Sequence, residues 1–302
     1  LTGGWESRRS VRMIRVALDS GFRHFDVAPP YGIGTAEDVL GLALSGHRAQ
    51  VTVASKVGRP RPILSTQTQL LRLLATPIRR LAAGKLRKRE RSVPPASTPP
   101  DVQLTLPIVK QSLAESLRRL RTDYLDLLLL HEAKLTDLTD ELLCHLDKVR
   151  QAGVARAIGI ASAHENVRDI ANVHGNFFDA LQYSWSPLDS RGLLACPVDF
   201  HITHRALMRA FEPLREWLDA DASVARRLSS AIDVDLTESR VLSNVLLGAA
   251  MAQNPGGIVL VGTRREDRVV QNAEAMRDPV WVERGTAFLV AMSREPSLPR
   301  TN

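Results

Sequence analysis

A parallel (β/α)₈ barrel is the fold class this sequence predicts, and three observations predict it. Seven apolar, strand-like segments alternate with helix-like segments along the chain, the pattern of a parallel sheet with right-handed crossovers. Its 302 residues, 44% hydrophobic and 24% charged, suffice for one large core, and barrels of this class run to about 250 residues. Several strand-like segments also end at ionisable residues, and such barrels keep their chemistry at the C-terminal strand ends.

The elements follow in order. Ser7 to Ser20 reads as an amphipathic helix with Val11, Ile14, Val16, Ala17 and Leu18 inward. Phe22, Phe25 and Val27 alternate with polar neighbours and lead into Asp26, Tyr31 and a loop punctuated by Pro29, Pro30, Gly32 and Gly34. Thr35 with Asp38 three residues on predicts a capping box opening the helix Ala36 to Leu44. Val51 to Lys56 is a strand ending in lysine. Pro107 occupies a favourable first-turn position of a helix running to Leu120.

Tyr124 to Leu130 is a buried strand terminating in His131 and Glu132. Thr139 to Ala152 is helical and stops at Gly153. Ala155 to Ala161 is a strand ending at Ser162, His164 to Val173 a helix, and Asp179 to Gln182 a strand. Asp199 to Thr203 is a short strand, and the region from there to Leu228 is irregular to helical. Helix Thr237 to Gln253, strand Ile258 to Val261 and helix Arg265 to Ala275 complete the alternation. Beyond Pro279 only Ala287 to Met292 reads as helix.

Composition excludes several function classes. Net charge is +7, but Arg59 to Arg91 holds ten Lys/Arg against the single acid Glu90, so the basicity is local. No nucleic-acid-binding motif accompanies it. Cys144 and Cys196 make neither a disulfide framework nor a metal-ligand spacing, so no metal is expected. No apolar run approaches the roughly 18 residues of a membrane span, and no secretory signal is visible, which predicts a cytoplasmic protein.

The run Gly21, Asp26, Ala28, Tyr31, Gly32, Glu37, Leu40, Gly41 resembles the signature of the aldo-keto reductases, G-x-x-x-x-D-x-A-x-x-Y-G-x-x-x-x-E-x-x-L-G, and the resemblance continues to about Ala275. It implies one barrel domain over 1–302, in which the family's N-terminal hairpin and first strand are missing; a truncated or processed N-terminus is expected. It also implies a catalytic tetrad of Asp26, Tyr31, Lys56 and His131. Tyr31 is then the general acid, Lys56 an ammonium easing release of its proton, Asp26 the carboxylate that keeps Lys56 charged, and His131 the group orienting the substrate carbonyl.

The hydride must come from a cofactor. By the same resemblance Ser162 and Gln182 contact the nicotinamide carboxamide, although Ala163 stands where the family has asparagine, and His204 stands where an aromatic ring stacks on the nicotinamide. Gly262, Thr263, Arg264, Arg268 and Asn272 match the adenosine-phosphate segment. Arg264, Arg265 and Arg268 as a phosphate clamp favour NADP(H), with NAD(H) the alternative.

The basic, Pro-containing segment 57–105 directly follows Lys56 and is expected on the catalytic face. Its candidate roles are a lid over an acidic substrate, a basic surface for an anionic partner, or a silent insertion. The expected activity interconverts a small carbonyl compound, an aldehyde, ketone or sugar, with its alcohol. Two alternatives stand beside it: a sugar dehydrogenase, and a cofactor-binding redox-sensing or scaffold module with little turnover. Substrate and oligomeric state stay open.

Overall fold

Strand periodicity of two and helix periodicity of 3.6 produce a repeating strand–helix unit. The computed structural model describes residues 7–62, 104–189 and 192–295. Within them the order is α1 (Ser7–Asp19), β1 (His24–Asp26), α2 (Ala36–Ala43), β2 (Thr52–Val57), α3 (Leu106–Leu120), β3 (Leu125–His131), α4 (Asp140–Gln151) and β4 (Ala155–Ala161). Then come α5 (His164–His174), β5 (Ala180–Ser184), β6 (His201–His204), α6 (Ala206–Ala220), α7 (Ala222–Ile232), α8 (Ser239–Gln253), β7 (Ile258–Leu260), α9 (Glu266–Arg277) and α10 (Val280–Ser293).

The seven strands form one sheet in sequence order, every neighbouring pair parallel. Among the described residues β1 and β7 do not pair with each other, so the barrel is nearly closed. Both are three residues long and half-buried throughout, as expected of strands lacking one neighbour. Helices cover the seam instead. Arg9 on α1 donates to the Arg264 carbonyl at 3.3 Å, Arg12 pairs with Glu266 at 3.0 Å, and Arg277 on α9 donates to the Ser20 carbonyl.

Strand alternation sorts the core into two layers. Ala54, Leu127, Leu129, Ala161, Ala180 and Ile202 form a buried cluster inside the barrel. Val53, Leu128, Leu130, Ile158, Ile160 and Leu181, one residue out of phase, pack outward against the helices. Each such side chain, taken fully out of water, contributes about 1.5–3 kcal/mol. Counting in twos toward the C-terminal ends carries the inward face from His24 to Asp26 and from Ala54 to Lys56. It likewise runs from Leu129 to His131, from Ala180 to Gln182 and from Ile202 to His204. Pairing aligns His131, Ala161, Gln182, Ile202 and Ile258 in one row across five strands.

Three local expectations are corrected. Thr35 precedes α2 but makes no capping bond; helix-like dihedrals there turn its hydroxyl onto the Gly32 carbonyl at 2.8 Å, and Asp38 pairs with Arg119 at 2.6 Å. The region before Leu228 is two helices, α6 and α7, the second capped by the Asp221 carboxylate on the Ser223 and Val224 amides. The tail is not a short apolar patch but the 14-residue α10. Gly248 and Gly285 make room for it, since a Cβ on Gly248 would stand 1.7 Å from the Trp281 carbonyl and one on Gly285 2.1 Å from the Ala249 nitrogen. With α6, α7 and α8 it encloses a second core around Leu214, Leu228, Leu246 and Phe288. The expected loop at 1–6 and basic amphipathic and proline-rich stretch over 63–103 lie outside the described residues.

Candidate active site

The inward face ends in ionisable groups because β1, β2 and β3 each place one at their last inward position. Lys56 is 1% exposed and donates to Asp26 Oδ2 at 2.5 Å. The same oxygen accepts a hydrogen bond from Gln182 Nε2 at 2.8 Å, across the barrel. A buried ammonium needs such a partner, because desolvation of an unpaired charge costs several kcal/mol. Burial pulls the Lys56 pKa down while Asp26 pulls it up; the net direction is down.

Tyr31 comes from the loop after β1. That loop, Tyr31–Gly34, runs through left-handed conformation at Gly32, Ile33 and Gly34 (φ 59, 57 and 83). Ile33 is β-branched, so the conformation is strained there, as is common where a loop presents a functional group. The Tyr31 ring is edge-on to His131, centroids 6.1 Å apart and planes at 89°, and Lys56 Nζ lies 5.6 Å from its centroid. Tyr31 itself is 41% exposed. Asp26, Tyr31, Lys56 and His131 therefore share one end of the barrel.

The electrostatic balance differs from the expected one. Tyr31 is pushed up to about 12, first by burial and then by the Asp26 carboxylate; the opposing cations are Arg205 and Arg59 rather than Lys56. The expected easing of proton release by Lys56 does not set the net direction, which is up because burial and the Asp26 carboxylate come first. The phenol stays protonated at neutral pH. His131 is pulled down to about 3, by burial first and then by Lys56 and Arg59, and is a neutral imidazole with a single N–H. Among the described residues its buried Nδ1 has no hydrogen-bond partner. Phenol and neutral imidazole can together hydrogen-bond one carbonyl oxygen.

His204, at the end of β6, is pulled down to about 4 by burial and the Arg205 cation. Unfolded histidines titrate near 6.5, so below that pH the unfolded chain binds protons that folded His131 and His204 refuse. Their contribution to stability is full above about pH 6.5 and is lost as pH falls toward about 4 and 3, at up to about 1.4 kcal/mol per unit for each group. Urea unfolding of the wild type from about pH 7 to about pH 5 should show this slope. A His131→Asn variant should show a shallower one; identical slopes contradict the assignment.

The candidate cofactor residues occupy neighbouring strand ends. Ser162 follows β4; its hydroxyl donates to the Ala133 carbonyl and accepts from Asn166 Nδ2, both at 3.2 Å. Asn166 was not legible as a site residue; it stands one helical turn beyond Ser162 and holds that hydroxyl through its side-chain amide. Gln182 and His204 point inward beside the tetrad. At the far strand, a Cβ added to Gly262 would meet nothing within 4 Å, so the chain leaves open space at the end of β7. Thr263 Oγ1 accepts from the Arg265 amide at 3.1 Å.

Arg265 is engaged by Asp267, while the Arg264 and Arg268 guanidinium groups have no ion-pair partner among the described residues. Asn272 is buried two turns along α9. Open space at Gly262, two unengaged guanidinium groups at a helix start and a flat neutral imidazole fit a dinucleotide with a phosphorylated ribose. Hydride chemistry would be that molecule's contribution.

The sequence model described as "Aldo/keto reductase family" matches residues 2–196. A D-threo-aldose 1-dehydrogenase of a Pseudomonas species is 34% identical over 154 residues, 50% of this chain and 43% of that protein. The chain thus spans less than half of that relative's length in this match. A 6-dehydroglucose reductase of Novosphingobium aromaticivorans is 23% identical over 278 residues, 89% of this chain and 80% of its own. An aldo-keto reductase from Bacillus halodurans superposes with a TM-score of 0.65 at 21% identity, over 95% of this chain and 88% of that one. One from Klebsiella pneumoniae, solved in complex with NADPH, gives 0.65 at 19% identity over 99% and 90%. The folds agree over nearly the whole chain, and the family match takes in the strands carrying Asp26, Lys56, His131 and Gln182: this chain belongs to the aldo/keto reductase family.

Proposed function

We propose that the protein is an NADP(H)-dependent oxidoreductase interconverting a small carbonyl compound with the corresponding alcohol, with NAD(H) the alternative cofactor. The observation carrying this reading is the convergence of a protonated phenol, a neutral imidazole and a buried Lys56–Asp26 pair at one barrel end. Tyr31 donates its proton to the carbonyl oxygen, and His131 donates a hydrogen bond to the same oxygen. Asp26 keeps Lys56 charged and Gln182 oriented.

Ser162, Gln182 and His204 hold the nicotinamide end. Gly262, Thr263, Arg264, Arg268 and Asn272 hold the adenosine phosphates. The hydride is the one contribution the bound nucleotide supplies. Segment 57–105 leaves β2 at the catalytic face of a single domain. We assign the protein to the cytoplasm; among the described residues no helix is long and apolar enough to cross a membrane.

A sugar substrate, oxidised or reduced, is the second reading; the names of the Pseudomonas and Novosphingobium relatives favour it. The test is absorbance of NADPH on addition of aldehydes, ketones and sugars. Consumption by at least one of them is expected. Binding of NADPH without consumption by any of them contradicts the enzyme reading and supports a cofactor-binding module.

A further inference from the structure

Arg61 lies five residues beyond Lys56, at the start of the basic segment, and turns back onto the barrel. One guanidinium nitrogen donates to the Gly34 carbonyl; the other donates to Glu37 Oε2 at 2.5 Å; Nε stands 3.4 Å from Glu115 Oε1. Gly34 closes the loop that begins with Tyr31. Glu37 is fully buried on α2, and its other oxygen accepts the Ser55 hydroxyl at 2.7 Å. Ser55 immediately precedes Lys56 on β2. The chain of contacts thus runs from the Lys56 strand through Ser55, Glu37 and Arg61 to the Tyr31 loop.

Two features make this more than a solvated ion pair. Glu37 has no access to water, so its two oxygens are satisfied by the Ser55 and Arg61 donors rather than by solvent. The loop it stabilises is strained, with Ile33 at φ 57, and would relax without a fixed anchor. A Cβ on Gly34 would lie 2.8 Å from Arg61 Cγ, so the arginine stem is packed directly on the turn.

We propose that Arg61 is a positioning residue: its fork locks the loop carrying the phenol to the strand carrying the ammonium. The first residues of the basic segment are then part of the catalytic scaffold. This inference rests on the reading of Tyr31 as proton donor.

The test compares Arg61→Ala, Arg61→Lys and Glu37→Gln in the full chain. Arg61→Ala should lower kcat roughly 10-fold to 10²-fold through displacement of the phenol, with NADPH affinity and KM nearly unchanged. Arg61→Lys restores a charge beside Glu37 but has no fork to hold Gly34 as well, so it should fold normally and recover kcat only in part. Glu37→Gln weakens the link to the Ser55 strand but keeps the Gly34 contact, so it should lower kcat less than Arg61→Ala.

A second readout needs no turnover. With 3-fluorotyrosine at the three tyrosines, assigned by Tyr→Phe variants, the residue-31 fluorine signal should shift or broaden in both Arg61 variants and less in Glu37→Gln. An unchanged residue-31 signal with wild-type kcat in Arg61→Lys overturns the proposal, as does an equal loss of kcat in Arg61→Ala and Glu37→Gln. If the wild type itself consumes no NADPH, the proton-donor reading fails, and the fluorine signal alone decides whether Arg61 holds the loop.

Discussion

Replacing Tyr31 with phenylalanine is expected to leave NADPH binding intact while lowering carbonyl reduction by about 10²–10⁴-fold, the usual worth of a positioned general acid. Among the described residues the phenol oxygen has no hydrogen-bond partner, and the ring is 41% exposed. Its removal therefore strands no buried polar group, and the unfolding temperature should hardly move. Burial and Asp26 push the phenol up to about 12, so the donor is protonated across the neutral range. The kcat profile of the wild type should accordingly be flat through neutral pH. Stopped-flow reduction of an active aldehyde by bound NADPH measures the loss; a variant retaining wild-type rate removes Tyr31 from the mechanism.

Replacing Asp26 with asparagine is expected to cost about 3–5 kcal/mol of stability, the range for stripping the partner from a buried ion, and to abolish reduction. Lys56 is 1% exposed and Asp26 is its sole hydrogen-bonding partner among the described residues. Without the carboxylate the ammonium faces uncompensated desolvation, and its pKa, already lowered by burial, falls further. Gln182 also loses its charged acceptor. Pairing Asp26→Asn with Lys56→Met removes both charges, so the double variant should recover much of the stability and none of the activity. Urea unfolding gives the stabilities. A single Asp26→Asn variant as stable as wild type would show that the pair carries no desolvation burden.

The strands were legible because each is a short apolar run bounded by a turn signal; Ala155–Ala161 falls on the predicted boundaries. The inward positions of Asp26, Lys56, His131 and Gln182 follow from period-two counting once the strand ends are known. Other features depend on contacts distant in sequence. Helix α10 was foreshortened because Glu283 and Arg284 interrupt its apolar pattern, and the close approach that stabilises it pairs Gly248 with Trp281.

Asn166 and Arg61 belong to the site only through bonds to Ser162, Gly34 and Glu37, and neither residue type announces such a bond in advance. The direction of the Tyr31 shift was misread because residue identities say which charges are near. They do not say that burial and the Asp26 carboxylate together outweigh the cations near the phenol.

The most direct test of the shared site is a single turnover of protein loaded with NADPH deuterated at the transferable position and mixed with a panel of aldehydes and sugars. The expected result is one deuterium on the former carbonyl carbon of a reactive substrate in the wild type, and almost none over the same interval in Tyr31→Phe. Bound nucleotide that keeps its label with every substrate, or equal transfer by the phenylalanine variant, contradicts a phenol, imidazole and ion pair acting together at the barrel mouth.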